Sequence, residues 1–419
     1  MKTSYKRVTV VFIIVLALVT FSVILYVLTN VLRSIVLFEI TIIFLFFTIL
    51  YALIGYPIVL KIMYRFLQKP HMVDDKYEPT VTLLIAAYNE ANVLAEKLSN
   101  SLQLDYPQNK LRLLVVSDGS TDGTDMIAEK FKENGVELLS LAPNRGKMTA
   151  LNEGFKTINS EIVVLSDANV MYDSYSIRKL VRHFVDPSIG AVSGKVTLIN
   201  DHLSYADAEV KYYDVEHSIQ QLEGDTGSMI GADGAMYALR TELYRQLPED
   251  TILDDFVISM GVVKQGRRLI HEPEAVAYER NIVEMGGEFR RKVRIIAGGL
   301  QTLIRRQIFP KNNDMVSWFK LISHKILRWM IGPIVLLMAI LIILHALMSP
   351  PLSGTVTVII CVISVIFLLG CIARFIPVFR RLKCFILPYY LLVMFVASLV
   401  GCWRGLLGSQ SVTWKQVQT

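Results

Sequence analysis

The chain has 419 residues, 53% of them hydrophobic and 19% charged, with a mean hydropathy of +0.44. A soluble globular protein is nearer a quarter charged, so these values argue against a purely soluble enzyme, a disordered chain or a collagen-like one. The net charge of +6 is too modest to argue for nucleic acid as a partner, and none is expected.

The first feature along the chain is an almost unbroken apolar run, Val8–Leu32, preceded by Lys2, Lys6 and Arg7. A spanning helix needs about 20 apolar residues. The run is longer than the apolar core of a cleaved leader and reads as a retained anchor. A second span is expected from Ile35 to Met63, with Glu39 near its outer end and Pro57 near its inner end. Glu39 reads either as a functional acid within the membrane or as a charge at a helix N-terminus, and its place in the first turns favours the latter. Composition turns polar from Tyr64 to Lys320, enough chain for one α/β domain. Apolar spans return at His324–Leu347, Thr355–Phe375 and Cys384–Trp403.

The expected division is therefore two transmembrane helices in residues 1–63, a cytoplasmic domain with interfacial helices at its C-terminal end in 64–320, and three transmembrane helices with a short tail in 321–419. Lys61, Arg65 and Lys69 follow the second span, and Arg374, Arg380, Arg381 and Lys383 lie between the fourth and fifth, whereas Met348–Gly354 carries no charge. By the excess of positive residues on the inner side, the domain is expected to face the cytoplasm; the membrane is expected to be the plasma (inner) membrane. The tail carries Arg404 and Lys415, which leaves its side open. Cys361, Cys371, Cys384 and Cys402 all fall in the apolar C-terminal third and read as small apolar residues of membrane helices.

Within the polar stretch, short apolar runs alternate with helical ones. Thr80–Ala86 predicts a strand ending in Ala87-Tyr88-Asn89-Glu90, followed by a helix over Ala91–Leu102. Leu111–Val116 predicts a second strand, leading through Ser117-Asp118-Gly119-Ser120 into a helix over Asp125–Asn134. Val136–Leu141 and Ile162–Leu165 predict two more, running into Asn144-Arg145-Gly146-Lys147 and Ser166-Asp167-Ala168-Asn169. This alternation implies βαβ units and a mostly parallel sheet, with ligands at the strands' carboxyl ends.

Each loop permits a functional and a plainer reading. Asp118 can accept hydrogen bonds from a base or ribose, or simply close an Asx turn. Asp167, with Asn169 as a neutral oxygen donor, suits Mg2+ or Mn2+ beside phosphates, or caps a turn. Lys147 can face a phosphate or sugar, or sit exposed in a tight turn. Asp254-Asp255 precedes the helical spacing of Phe256–Gln265. The pair can supply a general base or no more than a stabilised helix start. Arg290, Arg291, Lys292 and Arg294 can neutralise a pyrophosphate or touch lipid headgroups.

Taken in order, these segments, with Gly231-Ala232-Asp233-Gly234 and Arg291-Lys292-Val293-Arg294, resemble the membrane-integrated family 2 glycosyltransferases of GT-A fold, the group that holds cellulose, chitin, hyaluronan and poly-N-acetylglucosamine synthases. The motifs cover about Thr80–Ile295. The resemblance implies an inverting hexosyltransferase that moves a sugar from a nucleotide diphosphate donor, expected to be a UDP-sugar, to a hydroxyl acceptor on a glycan or lipid, in envelope or extracellular polysaccharide synthesis. It implies nucleotide-sugar contacts at Ala87, Tyr88, Glu90, Asp118, Lys147, Asp167, Arg291 and Arg294. It also implies a metal at Asp167 and Asn169, the base at Asp255 with Asp254 beside it, and acceptor contacts at Gly231, Ala232, Asp233 and Gly234. Three positions depart from the family pattern. Asn169 replaces the second acid of the metal motif, Ser117 stands where an aspartate is common, and Ile295 replaces the tryptophan of Gln-x-x-Arg-Trp. The last favours single transfer to a lipid or envelope glycan as the alternative to polymer synthesis. A non-catalytic sugar-nucleotide-binding scaffold is the reading from another class, opposed by the retained Asp118, Asp167 and Asp255.

Overall fold

The computed structural model describes residues 35–199, 205–280, 285–311, 313–348, 353–376, 378–379 and 382–411. The expected first span at Val8–Leu32, together with Arg380 and Arg381, lies outside them. The chain divides into two compact units, one built on residues 57–283 and 306–321, the other on residues up to 56, 284–305 and 322–410.

The first unit is an α/β domain. Its strands are β1 (Val81–Ala87), β2 (Leu111–Asp118), β3 (Val136–Leu141), β4 (Ile162–Asp167), β5 (Val170–Tyr172), β6 (Ile189–Ile199), β7 (Met236–Arg240) and β8 (Arg268–Arg280). They form one sheet in the order β3-β2-β1-β4-β7-β6-β8-β5. Neighbours from β3 to β4 are parallel, as are β6 and β8, while β4–β7, β7–β6 and β8–β5 are antiparallel. Parallel pairs thus outnumber antiparallel ones, as the alternating pattern predicts. Every residue of β1 is buried, which fits its unbroken apolar sequence in the middle of the sheet. The connecting helices are α1 (Ala91–Leu102), α2 (Thr124–Lys130), α3 (Lys147–Phe155), α4 (Ser176–Val181), α5 (Tyr205–Asp225) and α6 (Asp254–Lys264). Because β1, β2 and β4 run the same way, the polar segments that follow them gather at one edge of the sheet.

Among the described residues, three helices in the second unit and at its border are long and apolar enough to cross a membrane: Leu37–Phe66, Gly354–Phe375 and Cys384–Leu407. The first contains a π-helical turn at Tyr51–Gly55 just before Pro57. Proline has no N–H and its ring crowds the preceding turn, so the local ladder loosens there. The third expected span is not one straight helix. Met315–Trp329 and Ile331–Leu347 meet at a 63° bend. Pro333 cannot donate to the carbonyl of Trp329, which instead accepts from Ser398 Oγ at 2.6 Å, while Gly332 N–H donates to the same hydroxyl.

Amphipathic helix α7 (Met285–Ile304) packs on the last apolar helix through Gly401 and Gly405, where an added Cβ would lie about 3 Å from Ile296 and Ala297. Small residues four apart allow this close approach. Glu39 reaches two other segments of this unit. Its carboxylate accepts from the Ser353 backbone at 3.2 Å and lies 3.4 Å from His345 Nε2.

Candidate active site

The loops after β1 and β2 are stitched to each other. Asn89 adopts a left-handed backbone, φ 54°, which asparagine tolerates better than most residues. Its side chain accepts from Thr121 N–H at 2.8 Å, and its own N–H donates to Ser120 Oγ. Glu90 N–H donates to Thr124 Oγ1 at 2.9 Å and Ala91 N–H to Asp122 at 3.1 Å. Tyr88 and Glu90 are thereby held, half-buried, at the rim of the domain. Burial first, then the charges of Asp167 and Asp122, lifts the Glu90 carboxyl to about 7.

Asp118, expected against a base or ribose, is fully buried. Its carboxylate accepts from the backbone N–H groups of Arg145 and Gly146, the shortest contact being 2.6 Å. It therefore anchors the loop that presents Lys147. Gly119, at φ 68°, is required beside it: a Cβ there would stand 2.5 Å from the Asn144 nitrogen.

Lys147 opens α3 and turns its ammonium into the cluster, 2.6 Å from Asp167 Oδ1 and 3.3 Å from Asp254 Oδ2. Burial works against its charge, but Asp167, Asp254 and Asp255 outweigh it and keep the lysine protonated well above its usual range. Asp254 is buried at the start of α6. Asp255 keeps part of its surface open yet is desolvated by the protein around it. That burial, with the adjacent Asp254 charge, pushes its carboxyl up to about 7 against the opposing pull of Lys147. Phe256 N–H donates to Asp255 Oδ1 at 2.7 Å.

The Gly231–Gly234 segment lies against the same helix start. An added Cβ would meet the Phe256 ring at 2.2 Å from Gly231 and Asp255 Oδ2 at 2.7 Å from Gly234. Ala232 N–H donates to Ser259 Oγ, and Asp233 N–H to Ser193 Oγ. Asp254, Asp255, Lys147, Asp167 and the 231–234 segment are thus one site, with Glu90 within electrostatic reach. Arg291 and Arg294 belong to the other unit, on α7, where Arg291 and Lys292 pair with Glu288 at 3.0 and 3.2 Å.

Sequence reasoning missed three residues here. Lys97 of α1 is wholly buried beneath the metal motif, donates to the Val170 carbonyl at 2.5 Å and lies 3.9 Å from the Tyr172 ring centroid. Tyr237 of β7 is buried among Asp254, Asp255 and Asp167, and its hydroxyl has no hydrogen-bond partner among the described residues. Glu279 of β8 accepts from the Asn169 amide at 3.3 Å. A lone tyrosine in the apolar run Ala235–Leu239 was the available signal for Tyr237, whereas Lys97, beside Glu96, gave none.

Among the described residues no group of three or more His, Cys, Asp or Glu could by itself cage a metal. Asp167 and the amide oxygen of Asn169 nonetheless fit a hard cation that takes its remaining ligands from substrate phosphates and water, as Mg2+ commonly does. The Asn169 amide nitrogen, turned toward Glu279, leaves that oxygen for such a role.

A family model described as glycosyltransferase like family 2 matches residues 79–316. The chain belongs to this family. The matched stretch of this glycosyltransferase-family chain contains every residue of the cluster just described. Among curated relatives it is similar to the poly-beta-1,6-N-acetyl-D-glucosamine synthase of Staphylococcus aureus (strain MSSA476), 28% identical over 251 residues covering 58% of this chain and 60% of that protein. The protein of the same name from Staphylococcus epidermidis is 27% identical over 231 residues, 54% of this chain and 56% of its own. The matched stretch thus spans less than two thirds of those relatives' length. In fold, the chain is similar to the mannosyltransferase PcManGT from Pyrobaculum calidifontis, solved in complex with GDP-Man and Mn2+. The TM-score is 0.68 at 22% identity, covering 89% of this chain and all of that one. The domain is a GT-A fold with apolar, membrane-length helices on either side of it in sequence.

Proposed function

We propose that this chain is a membrane-bound inverting hexosyltransferase that moves a sugar from a nucleotide diphosphate donor, a UDP-sugar in the first instance, to an acceptor hydroxyl. One observation carries the reading: a single buried ammonium, Lys147, joins Asp167 of the metal motif to Asp254 beside Asp255. Loops far apart in sequence converge there on a charge arrangement suited to a diphosphate leaving group and a base. In this account Tyr88, Glu90 and Ala87 border the nucleoside, and Asp118 acts through the loop it holds. Lys147, Arg291 and Arg294 serve the diphosphate, the two arginines on the strength of the motif resemblance. Gly231–Gly234 receives the acceptor. Asp255 takes the acceptor proton as that oxygen bonds to the anomeric carbon; the bond from carbon to the diphosphate oxygen breaks on the opposite face, and the configuration inverts. Mg2+ or Mn2+ at Asp167 and Asn169 would supply neutralisation of the departing diphosphate.

The domain boundaries at about residues 63 and 320, a cytoplasmic active site and a place in the plasma membrane for envelope or extracellular polysaccharide synthesis belong to the same proposal. The names of the curated relatives favour a growing glycan as acceptor. Ile295 in place of the family's tryptophan favours the second mode, single transfer to a glycan or lipid-linked acceptor. Incubating purified protein with a panel of UDP- and GDP-sugars, with Mn2+ and membranes, and weighing the products tests both. Sugar added with release of nucleoside diphosphate is expected. Absence of donor turnover across the panel contradicts the proposal, and long chains made from donor alone select polymerisation.

A further inference from the structure

Beyond the catalytic carboxylates, the domain holds a pair of histidines that the reaction above does not use. His271 lies on β8 and His217 on α5, their rings stacked with centroids 5.3 Å apart and planes 11° from parallel. Relative exposure is 6% for His217 and 4% for His271; among the described residues no side chain hydrogen-bonds either ring, and the Ser193 backbone is within reach of His271. A buried polar group short of partners is unfavourable, so two such rings stacked together are unusual in a core. The stack follows from the fold. Gly224 lets α5 settle on β8, where a Cβ would meet the His271 backbone nitrogen and Ile270 Cα at 3.3 Å.

The pair is continuous with the 231–234 segment. Ser193 is the register partner of His271 in the parallel β6–β8 pair, and its hydroxyl accepts from Asp233 N–H at 3.1 Å. Asp233 acts electrostatically on both sides, on His217 and on Asp255. Lys195, two residues on from Ser193 and so on the same sheet face, is drawn 3.9 Å from Asp214 of α5.

We propose that His217 and His271 form a carbohydrate subsite, in which their ring nitrogens hydrogen-bond hydroxyl groups of the acceptor glycan beyond the sugar that reacts at Asp255. Burial lowers the affinity of both rings for a proton, and a neutral ring carries one donor and one acceptor, the pairing a sugar hydroxyl needs; at His271 the Ser193 backbone competes for the donor. The acids Asp233, Asp214 and Glu216 around His217 disfavour a phosphate there. The inference rests on the proposed sugar transfer and extends it to a chosen acceptor chemistry.

The test uses the full-length protein in detergent and a β-1,6-linked N-acetylglucosamine trisaccharide as probe. Saturation-transfer NMR reports trisaccharide binding, and calorimetry reports UDP-sugar binding. His217→Phe and His271→Phe keep the stacked ring and remove the nitrogens. Each is expected to weaken trisaccharide binding about tenfold or more, the scale of an unpaired buried polar contact. Donor affinity should stay within about twofold, with an unchanged or higher thermal midpoint. Unaltered trisaccharide affinity in both variants overturns the subsite. So does wild-type protein that binds no trisaccharide, or binding displaced by millimolar inorganic phosphate. If a variant does not fold, the ring 15N shifts of the wild-type histidines decide. Movement on adding trisaccharide supports the subsite, and none overturns it. Failure of the wild type to bind any donor counts against the transferase reading itself, a separate outcome.

Discussion

Gly234 presses against Asp255: a methyl group on its α-carbon would meet a carboxylate oxygen at 2.7 Å. The glycine is needed there because the carboxylate occupies the space a side chain would take. Gly234→Ala should displace Asp255 at a stability cost of about 1–3 kcal/mol, the usual range for overpacking. Transfer should fall far more than donor affinity, since the orientation of Asp255, the proposed base, is what is lost. Parallel donor titrations and turnover rates on the variant check this; equal losses in both point to general unfolding instead.

Burial first, and then the Asp254 charge, pushes the Asp255 carboxyl up to about 7. A base must be ionised to accept a proton, so kcat/KM should fall as pH drops through about 7. Asp254→Asn removes a like charge, so the Asp255 carboxyl should ionise at lower pH and the acid limb should move down. A pH–rate profile with an unmoved limb would assign the titration to another group.

Asp167 should be indispensable for metal-dependent transfer. Asp167→Ala removes the one carboxylate among the expected metal ligands, and turnover should vanish while the thermal midpoint changes little. Asn169→Asp restores a second acid and should tighten Mn2+ binding in the presence of UDP, read by calorimetry. Full activity of Asp167→Ala, or of the wild type in excess chelator, contradicts the assignment.

Lys97 gives a stability signature. Burial drags its ammonium down to about 7, with Asp167 opposing, whereas an unfolded lysine holds its proton to about 10.4. Between those values the unfolded chain binds more protons, so stability should rise with pH. Lys97→Met should flatten that rise between about pH 7 and 9, as seen in thermal midpoints. It also frees the Val170 carbonyl behind the metal motif. An unchanged slope would mean that the lysine is not buried in solution.

Much of this was readable from sequence because the strands leading to the site are continuous apolar runs. Val136–Leu141 and the helix Ala91–Leu102 match their expected bounds. β1, β2 and β4 begin within a residue of expectation but extend further into the polar motif, since Ser117, Asp118, Ser166 and Asp167 still pair in the ladder. Asp167 was found because it stands where an apolar strand ends, Lys147 because it follows a strand in a short polar loop, and Asp255 because it opens an apolar helix; the motif resemblance gave all three their roles. The pairing of β5 with β8 was not legible, because β5 is three residues long and its partner lies far along the chain. Lys97 reads as an ordinary helix-surface lysine until α1 is packed under Val170. Asp118 was legible as a loop acid, but which partner it takes depends on a turn from another βα unit. The bend at Met330 follows from Pro333, whose effect on an otherwise spanning run a hydropathy count does not register.

The central claim is that Asp255 is the base. Asp255→Asn keeps size and much of the hydrogen bonding but cannot accept the proton. The variant should bind donor nearly as the wild type does, while the transfer rate falls by roughly two to four orders of magnitude. Asp254→Asn should cost less, because that residue chiefly pairs with Lys147. Donor affinity and single-turnover transfer rate, measured on purified Asp255→Asn, decide the matter. A large loss of rate with intact donor binding is the predicted result; near-normal turnover would contradict the account.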